Sequence, residues 1–87
     1  MDDDITVFIK TAKDKLGFIF HFRDYGSERN VGPYAKISFK GGRRGDVEPV
    51  REIAVRIVGS KRVKDVYYKP RAPGLGYGRI VAKIRMR

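Results

Sequence analysis

Apolar side chains recur at every second position along four segments of this chain, and a fifth segment is predicted to pair with the last of them in a long hairpin. Such period-two patterning is typical of a β-strand with one buried and one exposed face. Glycine, proline and other turn-forming residues separate the segments, as expected for loops. The pattern therefore predicts five strands, at Ile5–Lys10, Leu16–Arg23, Tyr34–Lys40, Val63–Lys69 and Arg79–Arg87.

The second of these segments is the richest in aromatic residues. Its three phenylalanines, Phe18, Phe20 and Phe22, follow Leu16 at every second position. Side chains two residues apart in a strand point to the same face of a sheet. We therefore expect this row to lie in the hydrophobic core and His21 to lie on the opposite face.

A different period appears between the third and fourth predicted strands. Apolar residues recur there at the spacing of one helical face, formed by Val50, Ile53, Ala54, Ile57 and Val58. Asp46 is suited to be the N-cap of a helix that begins at Val47, and Gly59 is suited to end it. The pattern predicts one helix that packs on a sheet.

The predicted order of elements is β-β-β-α-β-β, which is typical of an α+β fold. We expect an antiparallel sheet with one helix packed on its apolar face and a long basic C-terminal hairpin. A chain of 87 residues supports one core, so residues 1–87 are predicted to form a single domain. The acidic segment Met1–Asp4 is predicted to be a disordered tail.

The chain is strongly basic, and its charge is unevenly distributed. The formal net charge is +10, with six basic and six acidic residues in positions 1–37 but 14 basic and four acidic residues in positions 38–87. A one-sided excess of positive charge favours binding to a polyanion. Nucleic acid is therefore the predicted partner, with an anionic membrane or an acidic protein as alternatives.

Four groups of residues are candidates for contact with nucleic acid. The last strand places cations about 7 Å apart along one face, a spacing similar to that of phosphates along a nucleic-acid strand. Two lysines of the third strand extend this stripe, and basic or aromatic residues also occupy the hairpin loop and the turns beside the helix. The predicted binding residues are Lys36, Lys40, Arg43, Arg44, Lys61, Arg62, Lys69, Arg71, Tyr77, Arg79, Lys83, Arg85 and Arg87.

Residues with catalytic potential are few and dispersed. The chain has no cysteine and a single histidine, His21, so a cluster of Cys and His metal ligands cannot form. The carboxylates show no pairing that would suit acid–base catalysis. We therefore expect a protein that is not an enzyme and that needs neither metal nor cofactor.

The favoured function is DNA binding with weak sequence preference, either architectural or specific for single strands. An RNA-binding or ribosome-associated protein is the first alternative. A subunit that contacts an acidic protein partner, or forms a homodimer, is the second.

The composition also leads to expectations about location and source. The acidic N-terminal segment and the short apolar runs predict neither an export signal nor a membrane span. We expect a cytoplasmic protein, associated with the nucleoid if it binds DNA. The chain has no glutamine and one asparagine, Asn30, a bias that predicts a thermophilic, archaeal-like source.

Overall fold

The structure, a computed structural model, describes residues 3–25, 33–70 and 78–86. The α+β class, the antiparallel sheet and the C-terminal hairpin are as predicted. Two helices and four strands follow one another in the order α1 (Asp3–Leu16), β1 (Phe20–Tyr25), β2 (Tyr34–Lys40), α2 (Val47–Val58), β3 (Val63–Lys69) and β4 (Arg79–Arg85).

The four strands form one sheet in the order β1-β2-β4-β3, in which all neighbours are antiparallel. Strands β2 and β3 consequently run parallel, with β4 between them, so that β2-α2-β3 is a split β-α-β unit. The order helix-strand-strand occurs twice in the chain. Within the sheet, β1-β2 and β3-β4 are arranged symmetrically about the central β2–β4 pair.

Both helices cover the same face of the sheet. Apolar residues from α1, α2, β2, β3 and β4 meet in one cluster on this side, together with Phe18, which precedes β1. Phe39 of β2 lies at its centre, since its ring stacks on Phe18 at 4.9 Å between centroids and meets Phe8 of α1 edge-on at 5.6 Å. The sheet therefore has one face that is covered by helices and one that is not.

The first element is a helix, and the strand predicted at Ile5–Lys10 is wrong. Ile5, Phe8, Ile9 and Ala12 are buried at positions that recur with the period of a helix. The acidic residues at 3 and 4 form the first helical turn, so this part of the expected acidic tail is ordered. The helix ends at Gly17, whose φ of 68° is easily adopted by glycine.

The faces of β1 are the reverse of the prediction. Phe18 precedes the strand and is buried, whereas Phe20 and Phe22 are 39% and 49% exposed. A bend at Ile19 separates Phe18 from the strand, and the Ile19 amide bonds to the Lys40 carbonyl at 3.0 Å. Because the bend changes the phase of the alternation, the two following phenylalanines point away from the core.

The predicted second helix is confirmed, with one difference at its start. Helix α2 begins at Val47 and ends before Gly59, where a φ of 91° favours glycine. The Asp46 side chain does not cap this helix. Its Oδ2 instead accepts a hydrogen bond of 2.9 Å from the Arg43 amide, which closes the short 3₁₀ turn that leads into α2.

Neither of these two helices is both long and apolar enough to cross a membrane, within the part of the chain that the structure describes.

Candidate nucleic-acid interface

The face of the sheet opposite the helices carries six of the ten predicted binding residues that the structure describes. We call it the helix-free face. Its members alternate with the core residues of each strand, and the strand register places them in rows across the sheet. Those with described side chains are Phe20, Phe22, Tyr34, Lys36, Ser38, Lys40, Asp65, Tyr67, Lys69, Arg79, Val81, Lys83 and Arg85.

Charge is segregated between the helices and the central strands. Helix α1 contains three acidic and three basic residues, and α2 contains two of each. Strands β2 and β4 contain five basic residues and no acidic residue. All five belong to the helix-free face, so the positive excess of the described elements is concentrated on one side of the sheet.

The first row of this face lies at one end of the sheet. The register pairs Phe20 with Lys40, Lys40 with Arg79, and Arg79 with Lys69. Neighbouring strands are about 4.8 Å apart, so these four residues span roughly 14 Å. We call this row the end row; it presents three cations next to one exposed aromatic ring.

The second row is largely apolar and has an aromatic residue at each end. It consists of Phe22, Ser38, Val81 and Tyr67, in the order of the strands. Ser38 and Val81 at its centre are buried, whereas the Phe22 ring is exposed. We call this row the middle row. The exposed Phe22 ring is the part of this row on which a planar group can stack.

The Phe22 ring also contacts both neighbours in the end row. It meets Phe20 edge-on, with 5.3 Å between ring centroids and an interplanar angle of 89°. The Lys40 ammonium nitrogen lies 5.6 Å from the Phe22 centroid, within the range of a cation–π interaction. An aromatic ring and a cation are therefore held side by side at the β1–β2 edge.

The third row differs from the end row in its charge balance. It centres on Lys36 and Lys83, which pair with each other across β2 and β4. Lys83 also has an acidic register partner, Asp65. The excess of positive charge is therefore greater at the end row than at this row.

Beyond the third row, Tyr34 pairs with Arg85, and a second cation–aromatic contact is formed. Lys64 lies in the irregular part of β3, and its ammonium nitrogen is 5.9 Å from the centroid of the Tyr34 ring. Aromatic rings accompanied by cations thus occur towards both ends of the helix-free face.

Four predicted binding residues lie off this face. Arg43 and Arg44 are exposed in the turn before α2, where the Arg44 guanidinium carbon lies 5.0 Å from the centroid of the Tyr68 ring. Lys61 is exposed in the turn after α2. Tyr68 faces the helices and packs against the core, whereas Tyr67 belongs to the helix-free face.

Arg62, the fourth of these residues, has structural partners. Its Nη1 forms an ion pair of 3.2 Å with Asp4 Oδ2, and its Nε donates a hydrogen bond of 2.9 Å to the Arg85 carbonyl. The Arg62 side chain is only 15% exposed. It connects the start of α1 to the end of β4, so a structural role for Arg62 is visible and its predicted role in nucleic-acid contact stays a prediction.

Three predicted residues, Arg71, Tyr77 and Arg87, lie outside the described residues. Phe20 and Phe22 are candidate contacts that the sequence reasoning assigned to the core. Their alternation was visible, but alternation defines two faces and does not say which of them is covered.

Within the described ranges, no three histidine, aspartate or glutamate residues come together as a candidate metal site. The chain matches no protein-family model, no curated protein and no solved structure.

Proposed function

We propose that this protein binds single-stranded nucleic acid through the helix-free face. The observation that carries this proposal is the exposure of Phe20 and Phe22 on the face that also holds the five cations of β2 and β4. Exposed rings stack on unpaired bases, and adjacent cations neutralise the phosphates. A sheet face that contacts only water is not expected to expose two phenylalanines in contact with each other.

The rows suggest a division of roles between bases and backbone. Bases would stack on Phe22 and Phe20, because both rings are exposed at the β1 edge of the face. The backbone would follow the end row, where Lys40, Arg79 and Lys69 have no acidic register partner. Contacts of both kinds are largely independent of base identity, so weak sequence preference is expected.

Single strands are favoured over duplex by the aromatic residues. In a duplex the faces of the bases are stacked on one another and are not accessible to a protein ring. An architectural duplex-binding role depends chiefly on phosphate contacts and would use exposed phenylalanines only by inserting them between base steps. DNA is the substrate that we favour, and RNA is the alternative that the first experiment compares directly.

The experiment that tests this proposal is a titration of the protein with single-stranded DNA, RNA and duplex DNA of equal length at several salt concentrations. We expect the single strand to bind more tightly than the duplex, with an affinity that falls as salt increases. Equal affinity for single strand and duplex would contradict the stacking role. No binding to any of the three at low salt would contradict the proposal as a whole.

A pair of matched variants tests the location of the interface. Lys40→Gln removes a cation of the end row, whereas Lys61→Gln removes an exposed cation that lies off the face. We expect the first variant to make the dependence of log affinity on log salt shallower by up to about 0.7, the value of one phosphate contact in a single strand. Equal changes in the two variants would argue against the end row.

Self-association through the same face is a second candidate, because exposed phenylalanines also suit a protein interface. The five cations of β2 and β4 would then face those of the second copy and repel them. Analytical sedimentation at low and high salt measures the oligomeric state and so distinguishes self-association from nucleic-acid binding. A salt-independent dimer with no nucleic-acid affinity would favour this second candidate.

A further inference from the structure

A cleft lies between α1 and the edge strand β1, on the side of the sheet opposite the helix-free face. Its volume is about 230 Å³. Helix α1 contributes Thr6, Lys10, Lys13 and Asp14 to its walls, and β1 contributes residues that face the helices. The cleft is smaller than most sites that enclose a whole cofactor or nucleotide, so its volume favours a small ligand.

The charged groups around the cleft are predominantly cationic. Lys10, Lys13 and Arg23 surround it, and Asp14 is the carboxylate among the lining residues that the structure describes. The guanidinium of Arg23 is oriented by a hydrogen bond of 3.0 Å from its Nη2 to Thr6 Oγ1. An oriented guanidinium with two nearby ammonium groups is a suitable arrangement for an anion.

His21 supplies a polar atom that needs a partner. Its Nδ1 is buried and makes no hydrogen bond within the described part of the chain. Burial lowers the pKa of His21 from its ordinary value of 6.5, and the charges of Lys13 and Arg23 lower it further. Buried polar atoms in proteins are nearly always hydrogen-bonded, so this nitrogen indicates a missing hydrogen-bond partner.

We propose that this cleft binds a phosphate group, with Lys13 and Arg23 neutralising its charge beside the His21 imidazole. The site is separate from the helix-free face and does not depend on the function proposed for that face. The ligand can be free phosphate or the terminal phosphate of a larger molecule, such as an oligonucleotide, because the recognised group is the same.

The single histidine of the chain makes a direct test possible, since its imidazole gives one resolved set of NMR signals. The pKa of His21 is measured with inorganic phosphate and with sodium chloride at equal ionic strength. Bound phosphate should raise this pKa by about one unit, because an adjacent anion stabilises the imidazolium. The same pKa in both solutions, or a change that does not saturate, would overturn the proposal.

Two variants of α1 provide a matched comparison. Lys13→Gln removes a cation from the cleft, whereas Lys15→Gln makes the same change two residues away, outside the lining. Phosphate should raise the pKa of His21 in both variants. The increase in Lys13→Gln should be at most one third of the increase in Lys15→Gln. Equal responses would contradict the site. Circular dichroism confirms that each variant is folded before the comparison is made.

A third measurement distinguishes the two sources of phosphate. The protein is titrated with a dinucleotide that carries a 5′-phosphate and with the same dinucleotide without it. A larger change in the His21 pKa with the phosphorylated form supports binding of a terminal phosphate. If neither dinucleotide changes the His21 pKa but inorganic phosphate does, the result supports free phosphate as the ligand. A response to neither form of phosphate overturns the proposal, and it leaves binding at the helix-free face untouched.

Discussion

On the helix side of the sheet Phe39 is fully buried against Phe8 and Phe18, whereas on the helix-free face Phe22 of the adjacent strand is about half exposed. The two residues are in neighbouring strands but face opposite ways. The same residue type therefore stabilises the fold on one side and remains available for contact on the other.

The two faces also differ in charge. The residues of β2 and β4 that face the helices are uncharged and buried, and those of the helix-free face include all five cations of these strands. A sheet that is covered on one side only can satisfy the requirements of folding with one set of alternate residues. The alternate residues on the uncovered side are not needed for the core and can therefore serve binding.

The largest expected effect is on stability, at the centre of the covered face. Phe39→Ala removes a fully buried ring that contacts two others, so the free energy of unfolding should fall by about 3–5 kcal/mol. Denaturant unfolding measures this change. A loss below about 1 kcal/mol would show that Phe39 is not central to the core.

The second effect is on binding, at the helix-free face. Phe22→Ala should reduce the affinity for single-stranded DNA by about 1–3 kcal/mol, because one stacking ring is lost. Phe22→Tyr keeps a ring and should retain most of the affinity. The unfolding free energy should fall much less than in Phe39→Ala, since the Phe22 ring is already half exposed. Unchanged DNA affinity in Phe22→Ala would remove this ring from the interface.

A third variant separates structural cations from those of the interface. Arg62→Ala removes the ion pair with Asp4 and the hydrogen bond to the Arg85 carbonyl, so stability should fall by about 1–2 kcal/mol. Its effect on DNA affinity should not exceed that of Lys61→Ala, which removes an exposed charge one position away. A larger loss of DNA affinity in Arg62→Ala than in Lys61→Ala would support Arg62 as an interface residue.

The smallest effect concerns the edge of the covered face, where His21 is partly exposed. Its pKa is lowered in the folded protein, so the unfolded chain takes up a proton first as the pH falls below 6.5. The stability that neutral His21 contributes is present above that pH and is lost as the pH falls through the lower folded value. His21→Gln should remove this part of the pH dependence in unfolding measured between pH 7 and pH 5. Identical pH profiles would contradict the lowered pKa.

Much of the fold was predictable from local patterns. Helix α2 has a single apolar stripe and a glycine at its end, and strands β2 and β4 alternate without interruption. Helix α1 was not recognised, because Ile5 and Ile9 fit a strand and a helix equally well and β-branched residues favour strands. Phe8 and Ala12 decide between the two periods, and their burial depends on packing against the sheet.

The candidate site was predictable in its cations and not in its aromatic residues. Lys36, Lys40 and Lys83 alternate with apolar residues, and this pattern correctly placed each on the polar face of its own strand. Only the strand order shows that β2 and β4 are neighbours and that their cations form one surface. Phe20 and Phe22 look like core residues in any scale of hydrophobicity, so their exposure depends on the bend at Ile19, a tertiary feature.

The contacts of Arg62 have a consequence for the connectivity of the chain. One guanidinium touches both Asp4 and Arg85, so the start of α1 and the end of β4 lie close together. A short linker between them, with a new opening between β3 and β4, would give a circular permutant with the order β-α-β-β-α-β. In that order both helices would connect parallel strands through split β-α-β crossovers, and the same sheet should form from the rearranged gene.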